Sequence, residues 1–556
     1  MLKGRRVFMS YSIGIDFGTS SGRVFLINAS TGEIVTQYVK PYTHGTIEKS
    51  LNGVELPREF ALQNANDYLE VINEGIPAML ADVAISPKEI VGIGIDFTSS
   101  TVMFVDETLE PVHNLAQFQN NPHAYVKLWK HHGAQAEADQ LFTTALAEKN
   151  RWLGYYGFNV SSEWMIPKIL EVNNKAPEVM AATSYIMEAG DWIVNKLTGR
   201  NIRSNCGLGF KSFWEEEEGF HYDLFDKVDG ELSEIVRTKV DAPIVKIGET
   251  AGRLSADMAE QLGLDPETQV SPFIIDAHAS LLGIGSQQDK EMTMVMGTST
   301  CHLMLNKTQH KVPGISGSVK GAIIPGIYAY EAGQSAVGDL FEYVAKQAPA
   351  AYVEEATQLG ISIFEVLNQK AEQLYPGESG LIALDWHNGN RSVLSDSQLT
   401  GCLFGMTLKT THAEIYRAYM EATAFGTKMI MQQYEGWQMT VDRVFACGGI
   451  PKKNPLLMDI YANVLNKKIT VIDSEYAPAI GAAILGAISG NAHATFDSAI
   501  QAMKEPVLYE VEPDPTKVER YQTLFEAYNE LHDIHGYKKA RIMREVSQLA
   551  TAPRPE

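Results

Sequence analysis

The sequence predicts an α/β protein of two large domains that repeat one another and face across a cleft, and three observations carry that prediction. At 556 residues the chain is too long for one ordinary hydrophobic core. Each half opens with the same pattern, a strand, a polar glycine turn and a second strand, as an internal duplication would leave. Late in the second half an apolar strand runs through two glycines into a helix, the strand-to-helix step of α/β folds.

The first element is "SIGIDFGTSSGRVFLIN", where Ile13, Ile15 and Phe17 alternate before the turn and the apolar "VFLI" follows it. The second is "EMTMVMGTSTCHLML", residues 291–305, with Met292, Met294 and Met296 alternating ahead of Gly297, Thr298, Ser299 and Thr300. A hairpin tip of glycine and hydroxyl residues offers unblocked backbone N–H groups and side-chain donors, so two such tips facing each other can clasp a polyphosphate. One tip alone is an ordinary polar turn; the pairing at the two domain starts is the signal. Asp16, at the end of its strand, can hold Mg²⁺ through water, an ion that takes few carboxylates.

The third element, "RVFACGGIPKKNPLLMDIYANVL" at 443–465, reads as strand, turn and a helix with Leu456, Leu457, Ile460, Tyr461 and Val464 at helical spacing. Gly448 and Gly449 carry no side chains, so an adenine or ribose can lie against the backbone there, although a plain strand-to-helix turn has the same composition. Neither a Walker loop nor a dinucleotide fingerprint is present. The two domains, 11–288 and 289–556, are expected to meet through a short hinge at "GIGSQQDKEM", 283–292.

Composition narrows the partners. Lysine and arginine total 46 against 68 acids, a net charge of −22, which argues against nucleic acid. Cys206, Cys301, Cys402 and Cys447 lie far apart, suggesting neither zinc nor disulfides and fitting a reducing compartment. The start "MLKGRRVFMSYS" lacks a signal-peptide core, and "PAIGAAILGAISG" at 478–490 reads as a buried helix of small residues rather than a membrane span, so a cytoplasmic location is expected. "EEEEGF" from Glu215 reads as a solvated loop. His131 and His132, adjacent on an expected helix and without an acidic partner at metal-ligand spacing, are expected at the surface.

"VSPFIIDAHASLLGIG", 270–285, ends an apolar strand at Asp276 just ahead of a helix start. That placement aims a carboxylate into a cleft, or equally makes it a helix cap.

Together with "GCLFGMTLKTTHAEIYRAYMEATAFG" at 401–426 and "SSEWMIPKIL" at 161–170, these stretches closely resemble the FGGY carbohydrate kinases, from about residue 11 to about 490. The resemblance implies a duplicated actin-like ATPase (ribonuclease H-like) fold around a nucleotide cleft, with ATP and Mg²⁺ as cofactors. "VGIGIDFTSSTVMFVD", "MEAGDWIVNKLTG", "YEAGQSAVGD", "LDWHNGNRSVL" and "CGGIPKKNPLLM" look like the members that phosphorylate L-ribulose at its 5-hydroxyl in L-arabinose catabolism; another pentulose kinase, such as a xylulokinase, is the alternative. An actin-like ATPase without a sugar substrate is the rival of another class. A sugar-responsive repressor is set aside, for want of a DNA-reading segment before Tyr11 and because of the charge.

By resemblance, Asp276 is the general base and Asp16 lies beside the metal. Gly18, Thr19, Ser20 and Arg23 line the first phosphate loop, Gly297, Thr298 and Ser299 the second, and Gly448, Gly449 and Asn454 the adenosine segment. Ala277 and His278 stand where many relatives have a glutamine or asparagine as a sugar ligand, so other donors are required. Lys211, Glu331, Thr98 and Ser99 are the candidates, with the ketopentose expected on the first half. A homodimer is the expected assembly, with no nucleic acid or membrane partner.

Overall fold

The computed structural model describes residues 10–551. Two seven-stranded sheets organise them. The first contains β1 (Tyr11–Phe17), β2 (Ser21–Asn28), β3 (Ile34–Pro41), β4 (Ile90–Phe97), β5 (Gly252–Arg253), β6 (Gln269–Val270) and β7 (Ile274–Ile275), in the order β5-β6-β4-β1-β2-β3 with β7 also on β4. The second contains β8 (Glu291–Met296), β9 (Thr300–Asn306), β10 (Ser318–Lys320), β11 (Tyr328–Gln334), β12 (Arg443–Cys447), β13 (Ile469–Ile472) and β14 (Val507–Val511), in the order β10-β11-β9-β8-β12-β13-β14.

In each sheet the opening strand pairs antiparallel with the next one across the glycine turn and parallel with a later strand, β4 or β12. The repeated hairpin of the sequence is therefore a repeated sheet topology. Helices that bear on the site are α1 (Asn66–Ala81), α2 (Met165–Lys175), α3 (Asn205–Lys211), α4 (Asp276–Ile284), α5 (Gly338–Lys346), α6 (His412–Gly436), α7 (Gly449–Lys453), α8 (Pro455–Leu465), α9 (Ala477–Ser489) and α10 (Pro515–Asp533). Among the described residues no helix is long and apolar enough to cross a membrane.

Strand β1 is buried along its whole length, as a strand covered on both faces must be. Ile13, Ile15 and Phe17 fill one face, and the other carries Ser12, Gly14 and Asp16. Against that small-residue face lies α9, the buried alanine- and glycine-rich helix expected from its sequence. A Cβ on Gly14 would stand 2.2 Å from the Ala479 carbonyl oxygen, and one on Gly94 1.7 Å from that of Ala482, so the helix can approach only glycine there. Ser12 Oγ donates to the Ala483 carbonyl at 2.8 Å.

Helix α9 comes from the far end of the chain yet covers the first sheet, so the two halves are joined by more than the 283–292 crossing. That crossing is also better fastened than a free hinge. Gly283 faces the Ala477 carbonyl, where a Cβ would sit at 2.2 Å, and Gly285 is the left-handed cap of α4. The Glu291 carboxylate accepts from Ser286 Oγ and the Gln287 and Gln288 N–H groups at 3.1, 2.9 and 3.0 Å.

The histidine pair departs from expectation. Residues 126–132 form a short strand and turn instead of a helix, and His131 is fully buried, its Nε2 2.9 Å from Glu171 Oε2; only His132 is at the surface. Burial and the nearby Lys127 ammonium lower the His131 imidazole to about 3, so it is neutral.

Candidate active site

Three carboxylates converge at the carboxyl edge of the first sheet, where open α/β sheets place their ligands. Asp16 and Asp96 are register partners at the ends of the parallel strands β1 and β4. Asp276 opens α4 immediately after β7, whose Ile274 pairs with Asp96. Across the first hairpin Arg23 is the register partner of Asp16, and its Nη1 donates to Asp16 Oδ2 at 2.7 Å.

Asp96 is fully buried and neither carboxylate oxygen has a hydrogen-bond partner. Burial, then the charges of Asp16 and Asp276, push its carboxyl well above the usual range. Asp276 is half-buried and Oδ1 takes the Ala277 N–H at 2.6 Å, a contact at the helix start that leaves Ile275 as the cap residue. Burial raises it to about 7; the charges of Asp16 and Glu331 act in the same direction, and the Ala277 N–H and Lys211 oppose them. A carboxylate poised there exchanges protons at neutral pH.

Beside Asp276 lies a chain of four polar groups. Lys211 Nζ, at the end of α3, meets Glu331 Oε1 at 2.6 Å; His278 Nε2 is 2.9 Å from Glu331 Oε2; Cys206 Sγ is 3.4 Å from His278 Nδ1. Burial works against a charge on Glu331, but Lys211 and His278 overcome it and hold the carboxyl well below the usual range. Glu331 stands on β11 of the second sheet, so the sugar-side candidates are not confined to the first half as expected: the two halves meet there through an ion pair. Thr98 is buried with its hydroxyl 2.8 Å from that of Thr101, whereas Ser99 is partly exposed.

The first glycine turn directly follows β1, which carries Asp16, and the second directly follows β8. In the first, Gly18 N–H closes on the Ser21 carbonyl at 3.1 Å and Ser20 is exposed. The Thr19 carbonyl takes the Gln63 amide at 2.7 Å. In the second, the Gly297 and Thr298 carbonyls accept from Gly338, Val337 and Asp339 at the start of α5, and both residues are exposed, leaving the Thr298 hydroxyl free of protein partners. Gly448 has φ 104° and a Cβ there would lie 2.3 Å from the Met296 carbonyl oxygen, so the strand-to-helix turn admits only glycine at that position. Gly449 has open space beside it. Asn454 is buried and committed to the protein, accepting the Leu457 N–H at 3.1 Å as the cap of α8 and donating to Asn368 at 3.2 Å.

Sequence reasoning missed Asp96 and the role of His278. The signal for Asp96 was present: the pentapeptide "IGIDF" occurs at both 13–17 and 93–97. No local pattern marks His278, whose partner is 53 residues away on the other sheet. Among the described residues no three His, Cys, Asp or Glu side chains form a closed metal cage. The unpartnered oxygens of Asp96 beside Asp16 do fit a divalent cation held chiefly by water and phosphate oxygens.

Residues 11–283 and 292–490 match the N-terminal and C-terminal domains of the FGGY family of carbohydrate kinases. Over 541 residues the chain is 77% identical to ribulokinase 2 of Staphylococcus saprophyticus, covering 97% of this chain and all of that one. It is 71% identical to a ribulokinase of Staphylococcus aureus strain MSSA476, covering 97% and 99%. Among solved structures, a xylulose kinase from Lactobacillus acidophilus superposes with a TM-score of 0.80 at 16% identity, over 96% of this chain and 100% of that one. A glycerol kinase from Plasmodium falciparum with ADP superposes at 0.75 and 17%, over 94% and 98%. These likenesses carry the fold, the duplicated actin-like architecture.

Proposed function

This chain belongs to the FGGY family of carbohydrate kinases, and from that premise we propose that it transfers the γ-phosphoryl group of ATP to the 5-hydroxyl of L-ribulose, a step in L-arabinose breakdown. Its likeness to the staphylococcal ribulokinases supports that substrate. The observation that carries the reading is Asp276: a carboxylate near 7 at the carboxyl edge of the sheet, within the influence of Asp16, Glu331 and Lys211.

ATP lies across the cleft with adenosine against Gly448 and Gly449. The N–H groups and hydroxyls of Thr19, Ser20, Thr298 and Ser299 take the phosphates. Lys211 donates to sugar oxygens and Glu331 accepts from sugar hydroxyls, which fixes the 5-hydroxyl near Asp276. Asp276 accepts that proton as the oxygen attacks the γ-phosphorus in line. In a loose transition state this transfer comes late, so positioning carries much of the rate. Asp16 and Asp96 would hold a divalent cation, Mg²⁺, which supplies charge neutralisation on the phosphates. Arg23, whose Nη1 donates to Asp16 Oδ2 at 2.7 Å, fixes the orientation of that carboxylate.

A coupled ADP-release assay over L-ribulose, D-ribulose, L-xylulose, D-xylulose and glycerol tests the reading. The highest kcat/KM is expected with L-ribulose. ADP release that no ketopentose stimulates would mean an ATPase of the same fold.

A further inference from the structure

Two of the motifs, "SSEWMIPKIL" and "LDWHNGNRSVL", have no part in the chemistry above, yet they meet across the cleft. Arg391, from the second half, places its guanidinium 5.9 Å from the centre of the Trp129 ring, and its Nη2 is 3.3 Å from Glu163 Oε1, both partners belonging to the first half. The charge of Glu163 is the largest influence on Arg391, raising its pKa, and Glu331 acts in the same direction. On its other side the Trp129 indole N–H donates to Thr19 Oγ1 at 3.2 Å, in the first phosphate turn. One ring thus touches the phosphate turn of one half and a cation of the other, close to the sugar-side carboxylate.

The segment that presents this ring is bolted down from beneath by α2. Lys168 Nζ donates to the Leu128 carbonyl and to the Ser100 carbonyl, both at 2.7 Å, joining the Trp129 turn to the loop that bears Thr98 and Ser99. Glu171 pairs with Lys127 at 3.0 Å and with His131 at 2.9 Å. The three side chains of Lys127, Lys168 and Glu171 are wholly buried, a costly arrangement that makes sense where a loop must be held in one place.

We propose that Trp129, Arg391 and Glu163 form a latch across the cleft, in which the contact of Arg391 with Trp129 and Glu163 keeps the halves together around bound substrates, and Trp129 holds the Thr19 hydroxyl in position and excludes water from the phosphoryl group. These are positioning residues; none supplies or takes a proton. A cation–π contact and an ion pair both persist only while the halves are together, so they reward closure without contacting the reacting atoms.

The inference rests on the kinase reading, and its test separates the two. Trp129→Phe, Arg391→Gln, Glu163→Gln and the double variant Arg391→Gln/Glu163→Gln are assayed for ketopentose phosphorylation and for ATP hydrolysis without sugar phosphate formed. Each single variant is expected to raise the ketopentose KM about tenfold, the scale of one such contact at a partly buried site, and to raise the hydrolysed share of ATP severalfold. The double variant is expected to be no worse than either single one, because the pair acts as a unit, and Arg391→Lys restores the ion pair better than the ring contact. Should Trp129→Phe fold poorly, the partly exposed Glu163 and Arg391 variants decide. Wild-type KM and wild-type coupling of ATP use in folded variants, or strictly additive effects, would overturn the latch while the kinase reading stands. A wild-type enzyme inert on every ketopentose sinks the parent reading instead.

Discussion

Replacing Asp276 by asparagine separates catalysis from folding. Asparagine keeps an oxygen for the Ala277 N–H that Asp276 now accepts at 2.6 Å, so the start of α4 survives. The lost base lowers kcat by roughly 10²–10⁴ with ATP affinity retained. In the wild type, a base near 7 makes kcat/KM fall about tenfold per pH unit on the acid side of that value; the variant loses this limb. Stability moves the other way. The folded carboxyl stands at about 7 against 3.8 for the free side chain, so the folded protein holds its proton over a range in which the unfolded chain has released it. Wild-type stability therefore declines as pH rises from about 4 to about 7 and is level above that. The full rise corresponds to roughly 4 kcal/mol, and exposure to cleft water reduces it to about 2 kcal/mol. Asparagine does not titrate. Calorimetry without ligands should show a Tm advantage for the variant that grows from pH 5.5 to about pH 7, is level above it and reaches about 4 °C for domains of this size. Near wild-type turnover with the acid limb intact, or a Tm difference independent of pH, would refute the assignment of Asp276 as a strained, functional base.

Gly297→Val adds a side chain where the nearest protein atom to its Cβ is 3.9 Å away, so Tm should hold while the KM for ATP rises and that for the sugar does not; parallel losses would point to general damage. At the strand-to-helix turn, Gly448→Ala meets both a positive φ and the Met296 carbonyl and should destabilise by about 1–3 kcal/mol, whereas Gly449→Ala, with open space around it, should change nucleotide affinity alone; denaturant titration with nucleotide binding distinguishes them. Glu331→Gln removes the charge that holds Lys211 and is expected to raise the ketopentose KM about 10–100-fold with the ATP KM unchanged, an effect read directly in initial-rate kinetics. Ketopentose with a non-hydrolysable ATP analogue should reduce the radius of gyration in solution scattering; since Glu291 fastens the 283–292 crossing, protection from proteolysis is expected at the Trp129–Arg391 contact, and identical scattering curves for free and liganded protein would exclude closure.

The sequence by itself determined the features that depend on neighbours in the chain. Alternating Ile13, Ile15 and Phe17, the glycine and hydroxyl turns, the strand that delivers Asp276 and the small-residue helix α9 are all legible because strand period, turn chemistry and helix composition are local properties. Only the tertiary structure decided how these pieces pair. Helix α9 lies on β1 because glycines at 14 and 94 admit it, a contact between residues more than 380 positions apart. Glu331 joins Lys211 across 120 positions, and His131 is buried because its segment turns instead of coiling. The upward shift of the Asp96 carboxyl and the value near 7 at Asp276 follow from the same cause. Both are set by how much water packing removes and which charges it brings close, quantities that arise only when distant strands meet and that no spacing within the chain encodes.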